Sequence, residues 1–249
     1  MNSITPQQLS AAAHATLSHA NPLSVEQMNR LVALALNSRP RSAIEIGCGP
    51  GTFALALAEH TDLDITAIDI NPYFLDRARL VASQKVLIGS VIFELCSASE
   101  YAGPEVDLVV CIGSSQALGT PREAISRAGR LLRAGGTLVF AELIWSSPPP
   151  DNILEFLGTT ADHYWSTETA ASVFTQANYN LTEQFHASHA SWLEYEHAIF
   201  AGRLALAETL PPEQSQSVRS RAELWFQLFM EHGQHCLGFA AYVATHRGC

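Results

Sequence analysis

Charge is scarce in this 249-residue chain: Asp, Glu, Lys and Arg together make up 15% of it. Basic residues are the scarcer kind, 14 against 24 acids, giving a formal net charge of −10. So few cations on an acidic chain make a poor surface for a phosphate backbone, and no nucleic-acid partner is expected. The five cysteines, Cys48, Cys96, Cys111, Cys236 and Cys249, include no C-x-x-C pair, and their number is odd. That excludes a zinc framework or a disulfide scaffold and fits reduced thiols in a cytoplasm. No apolar run reaches the roughly 18 residues of a membrane span, so no membrane partner is expected. The first twenty residues have neither the basic start nor the apolar stretch of a secretion signal. Internal repeats and low-complexity linkers are also lacking. What the chain does have is apolar bulk, 47% of its residues, enough for one large core, and residues 1–249 are expected to form a single domain.

Order along the chain supports this. Residues 1–20 are Ala-rich and read as a short helix broken at Asn21-Pro22. Ser24 opens a clearer helix, with Gln27 completing a capping box. From Ser42 the pattern alternates strand and helix, with strands expected at 42–46, 64–68, 91–95, 106–112 and 137–143 and helices at 52–59, 72–83 and 122–133. Such alternation predicts a doubly wound α/β fold around a parallel sheet. Further on, helices are expected at 152–157 and 167–177, strands at 181–188 and 237–245, and mostly helix from 192 to 232 with a break at Pro211-Pro212. The N-terminal helical segment, 1–40, and a helical insertion, 189–236, are expected to cap the sheet.

The most informative stretch is Glu45-Ile46-Gly47-Cys48-Gly49-Pro50-Gly51, where a first strand turns into a first helix. Glycines at such a switch point let the backbone pass close to a ligand. Dinucleotide sites use G-x-G-x-x-G, but Thr52 stands where that third glycine would fall. The spacing here is G-x-G-x-G, two residues after an acid, the form used for S-adenosylmethionine. Glu45 suits the α-ammonium of that cofactor and would repel a pyrophosphate. Asp69 ends the second strand in Ile68-Asp69-Ile70-Asn71-Pro72. It can accept both ribose hydroxyls, with Asn71 capping the next helix and Ile70 flanking the adenine. Ser97 and Ala98, after the third strand, offer a hydroxyl and an N–H to the adenine ring.

Together these motifs resemble the class I S-adenosylmethionine-dependent methyltransferases, with the closest likeness to a bacterial small-molecule-type subgroup. The resemblance extends over most of the chain, through Asn21-Pro22-Leu23-Ser24, Asp107–Ser115, Leu131–Gly136, Ala141–Trp145, Trp192–Glu196 and Leu237–Phe239. It implies a Rossmann-like seven-stranded sheet with an antiparallel last strand. It also implies S-adenosyl-L-methionine lying over the strand ends near Glu45, Gly47, Cys48, Gly49, Gly51, Asp69, Ser97, Cys111, Ile112 and Gly113. The chain departs from the subgroup at Glu45, where Asp is usual, at Pro50, and at Gln116, where relatives commonly have His. An amide does not titrate, so Gln116 cannot stand in for a histidine base.

Methyl transfer from a sulfonium needs alignment and exclusion of water more than it needs a triad. Acceptor contacts are expected from Ser115, Gln116, Trp145, Trp192 and Tyr195, and Gln116, Glu142, Tyr195 and Glu196 are the candidates for proton transfer. Trp145 could favour a sulfonium by cation–π contact. His232 and His235 lack a third ligand, so no metal site is expected. The expected function is methyl transfer to a small-molecule acceptor. An S-adenosylmethionine-binding protein without transferase activity and a nicotinamide-dependent oxidoreductase are the alternatives. The aromatics of the insertion would also suit a homodimer interface.

Overall fold

The computed structural model describes residues 4–248; Cys249 lies outside them. Helix α1, Pro6–Ala13, begins at a Thr5–Gln8 capping box. It is shorter than the 1–20 expectation because residues 14–22 run on as turns. Helix α2, Val25–Leu36, starts at the Ser24–Gln27 box and buries Met28, Leu31, Val32 and Ala35. The wound unit follows: β1 (Ser42–Ile46), α3 (Thr52–His60), β2 (Asp64–Asp69), α4 (Pro72–Ala82), β3 (Ser90–Leu95), β4 (Val106–Ile112), α5 (Pro121–Gly129) and β5 (Leu132–Trp145). After it come α6 (Asp151–Leu157), α7 (Ala170–Gln176), β6 (Tyr179–His186), α8 (His189–Glu208) and α9 (Pro212–Leu228). A π-helical turn, Phe229–Gly233, leads through a short helical turn to β7, Leu237–His246.

The seven strands form one sheet in the order β3-β2-β1-β4-β5-β7-β6. β7 enters between β5 and β6, antiparallel to both. One face buries Ile44, Ile46, Val109 and Phe140 with Ile125 of α5 and Phe174 of α7. The other buries Ala43, Leu108, Val110 and Val139 with α2, α3 and the aromatics Trp192, Trp225 and Phe229. Because strand side chains alternate, Glu45 falls on this second face, alone among the apolar positions of β1.

A second segment differs from its sequence expectation. The helix expected over 122–133 stops at Gly129, and β5 begins at Leu132. The N–H of Val106 donates to the Leu131 carbonyl at 2.8 Å, so the sheet captures this segment before the helix can continue. Gly135, at φ +79°, lies where the β4–β5 register shifts between Val106 and Leu108.

Candidate functional site

The strand ends of β1, β2 and β4 open into a cavity of about 460 Å³. Its floor is the turn after β1. Gly47 has φ +66°, and a Cβ there would sit 2.3 Å from the Cβ of Ser114. Gly49 has φ +53°, and a Cβ there would meet only Ala20, at 3.8 Å, leaving its backbone open to the cavity. Glu45, Gly47, Cys48, Gly49, Asp69, Ile70, Ala98, Ile112 and Gly113 all line this space, as does Gln116.

Glu45 is buried, and one carboxylate oxygen accepts the Ala54 N–H at 2.9 Å. Burial pushes its carboxyl up to about 8, against the Ala54 hydrogen bond, and the like charge of Asp69 adds to the rise. The Asp69 oxygens accept the N–H groups of Gly49 and Asn71, each at 2.8 Å. Asp69 therefore ties the glycine turn to the start of α4, while the Asn71 side chain caps that helix by accepting the Tyr73 N–H at 3.1 Å. Burial raises the Asp69 carboxyl, and these N–H groups oppose the rise.

Five expected contacts lie off the cavity surfaces. A Cβ on Gly51 would stand 2.6 Å from the Phe93 ring, so this glycine serves packing against β3. Ser97 turns its hydroxyl to Ser99, 2.8 Å away, and leaves Cys96 and Ala98 on the wall. Cys111 is buried beneath the floor, 3.3 Å from the Ser114 hydroxyl, with its thiol pushed up to about 12 by burial. Ser115 is buried behind Gln116. Trp145 packs edge to face against Tyr164, with ring centroids 5.5 Å apart, and lines neither cavity.

The N-terminal segment supplies wall residues that sequence reading passed over. His14, Ala20 and Asn21 border this cavity. His14 is held between the Ser10 carbonyl at 2.7 Å and the Tyr195 hydroxyl at 2.9 Å. Burial holds its imidazole below the ordinary value, against the Ser10 hydrogen bond. Arg77 of α4 donates to the carbonyls of His14 and Leu17, at 3.1 and 2.6 Å, and Thr52 donates to that of Ser18. Ser114, at the end of β4, was also missed; it donates to the Ile46 carbonyl at 2.5 Å and fills the space that Gly47 leaves. The pairing of His14 with Tyr195 spans 181 residues and has no local sequence signal.

A second cavity, of about 350 Å³, adjoins the first. His14, Ala20, Asn21, Gly113, Gln116 and Tyr195 border both. Its far walls are Glu142 from β5, Trp192, Glu196 and Arg203 from α8, Trp225 from α9 and Tyr164. Glu196 accepts the Trp225 indole N–H at 2.8 Å. Glu142 accepts the Leu143 N–H at 2.8 Å through Oε1, while its buried Oε2 has no hydrogen-bond partner.

A seven-stranded sheet with β7 inserted antiparallel, and a glycine turn beside a buried acid under a ligand-sized cavity, define the class: the methyltransferase form of the doubly wound fold. Residues 44–138 match the model of a methyltransferase domain family. A methyltransferase from Geobacter sulfurreducens, solved with S-adenosyl-L-homocysteine, has the same fold, with a TM-score of 0.87 at 23% identity, covering 99% of this chain and 100% of that one. Residues 44–138 are thus similar to a methyltransferase domain, and the whole chain shares the fold of the Geobacter methyltransferase. Among curated relatives, the malonyl-[acyl-carrier protein] O-methyltransferase of Paenibacillus is 33% identical over 136 residues, 51% of this chain and 48% of that one. The 27-O-demethylrifamycin SV methyltransferase of Amycolatopsis mediterranei is 28% identical over 137 residues, 54% of this chain and 49% of that one. The match thus spans about half the length of these relatives. Among the described residues, no helix is long and apolar enough to cross a membrane.

Proposed function

We propose that the chain transfers a methyl group from S-adenosyl-L-methionine to a small-molecule acceptor, with the donor in the first cavity and the acceptor in the second. The observation that carries this reading is the shared wall: the same six residues border both spaces, so two ligands would meet there. Both volumes fall in the range of roughly 300–1,000 Å³ usual for small-molecule sites. The donor fits the first cavity on chemical grounds. Glu45 faces its ammonium, the Gly49 backbone leaves room for close approach, and Asp69 retains lone pairs for ribose hydroxyls. When bound, the cofactor supplies a methyl group on a positively charged sulfur.

The protein's part is placement. Gly113 and Gln116 form the shared floor, and His14 and Tyr195 join the N-terminal segment to α8 above it. Trp192, Trp225 and Phe239 wall the acceptor space and exclude water. We assign residues 4–40 and 189–236 to the cap. The relatives named above act on a carrier-bound malonyl group and on a demethylrifamycin, and a small acceptor here also suits the net charge of −10. The test is calorimetry with S-adenosylmethionine, S-adenosylhomocysteine and NAD(H). Micromolar binding of the first two without the third is expected; the reverse order would sink this reading in favour of an oxidoreductase.

A further inference from the structure

Among the described residues, three buried polar atoms on the acceptor chamber's wall have no hydrogen-bond partner: Trp192 Nε1 and Arg203 Nε, both donors, and Glu142 Oε2, an acceptor. Glu142 is 5% exposed, its Oε1 is engaged by the Leu143 N–H, and its Oε2 has no partner. A buried carboxylate oxygen left bare is costly, so such an atom marks a place where a ligand is expected to donate. The second acid in the chamber, Glu196, is already engaged by Trp225, with Arg203 nearby to offset its charge. The remaining ionisable groups on the wall are His14, Tyr164 and Tyr195. Two carboxyls against one guanidinium disfavour an anionic acceptor. Phe156, Tyr164, Trp192, Trp225 and Phe239 suit a flat apolar body.

Building on the methyltransferase reading, we propose that Glu142 is the general base, and that the acceptor is an aromatic-sized molecule whose nucleophile is a hydroxyl or amine donating its proton to Glu142 Oε2. The acceptor's lone pair forms the new bond to the methyl carbon as the bond from that carbon to sulfur breaks, its electron pair remaining on sulfur. The proton released from oxygen or nitrogen passes to Oε2. Glu142 follows Ala141, whose carbonyl accepts the Gly113 N–H at 2.8 Å, so the base stands beside the floor common to both cavities. Burial holds its carboxyl above the ordinary range, against the nearby Ser115 and Leu143 donors, and so strengthens it as a base.

The test uses the full chain loaded with S-adenosylhomocysteine and three probes of similar size: 2-naphthol, 2-phenylethylamine and 2-naphthoate. Calorimetry should show the naphthol or the amine binding at least about tenfold more tightly than the naphthoate, and the probe that binds should be methylated when S-adenosylmethionine replaces the product. Which of the two binds distinguishes a hydroxyl from an amine acceptor. Glu142→Gln keeps the shape and should lower kcat for that probe by at least about 100-fold, with S-adenosylhomocysteine affinity unchanged. Glu142→Asp should recover part of the rate, and the melting temperatures of both variants report on folding. Preferential binding of naphthoate, binding of no probe by loaded protein, or full turnover by the folded Gln variant would each overturn the proposal. Failure of S-adenosylhomocysteine itself to bind would instead overturn the underlying methyltransferase reading, and this proposal with it.

Discussion

Gly47 and Gly49 are two residues apart in one turn, yet substitution should act on different properties. At Gly47 an added methyl collides with Ser114 at 2.3 Å, so Gly47→Ala should cost about 1–3 kcal/mol of stability. At Gly49 the new side chain would meet little protein and project into the cavity. Gly49→Val should therefore weaken S-adenosylmethionine binding by at least about tenfold, roughly 1.4 kcal/mol, with some strain from its positive φ. Calorimetry beside thermal melting separates the two, and equal affinity for Gly49→Val and the parent would remove the glycine turn from the cofactor site. Asp69 combines both kinds of role. Asp69→Ala frees the N–H groups of Gly49 and Asn71 together with any ribose contact, so stability and affinity should fall together. A loss of stability with affinity intact would leave Asp69 as a structural tie alone.

Among the elements, the N-terminal segment is the one most dependent on distant partners. Residues 14–18 are fastened to the wound unit by Arg77 and Thr52, and to α8 through His14 and Tyr195. Arg77→Ala should loosen this segment without disturbing the sheet. Hydrogen exchange over residues 6–22 should quicken, and S-adenosylhomocysteine should dissociate several-fold faster. Unchanged exchange there would show that packing alone holds it. The same dependence explains what sequence could and could not convey. The alternation of β1 to β5, the Ser24–Gln27 box and the acid–glycine turn rest on local rules, and each is legible within a few residues. The contacts of His14 with Tyr195 and of Trp145 with Tyr164, and the rotation of Ser97 toward Ser99, depend on distant packing or rotamer choice, which periodicity does not encode. The end of α5 was misread for a related reason. Arg130–Arg133 has adequate helix propensity, but pairing with Val106 overrides it.

Taken whole, the molecule buries carboxyls around the two cavities: Glu45 on the first, Glu142 and Glu196 on the second. A carboxyl whose folded value lies above its ordinary one binds its proton more tightly in the native state, so stability falls as pH rises across the interval between the two values. For Glu45 that interval runs from 4.5 to about 8. The imidazoles of His14 and His186 are shifted down and act the other way, but only below their ordinary value of 6.5. The ligand-free protein should therefore melt at a lower temperature at pH 8 than at pH 6.5, and Glu45→Gln should flatten that slope. Saturating S-adenosylmethionine should flatten it too, because a cation beside Glu45 favours the charged form. A melting temperature that rises over this range would contradict the burial of an unpaired acid at Glu45.

The place of β7 has a consequence for biosynthesis. β6 bonds to the sheet only through β7, and β7 also covers the outer edge of β5. The ribosome delivers β6, α8 and α9 before it delivers the strand that attaches β6 to the rest. Throughout that interval the nascent polypeptide carries two open strand edges beside the unburied aromatics of its cap, the condition in which chains associate wrongly and chaperones bind them. A message with a stop codon after Cys236 would fix the polypeptide at this stage. Its product should partition into the insoluble fraction, whereas a soluble monomer on gel filtration would show that β1 to β5 can close a stable sheet unaided.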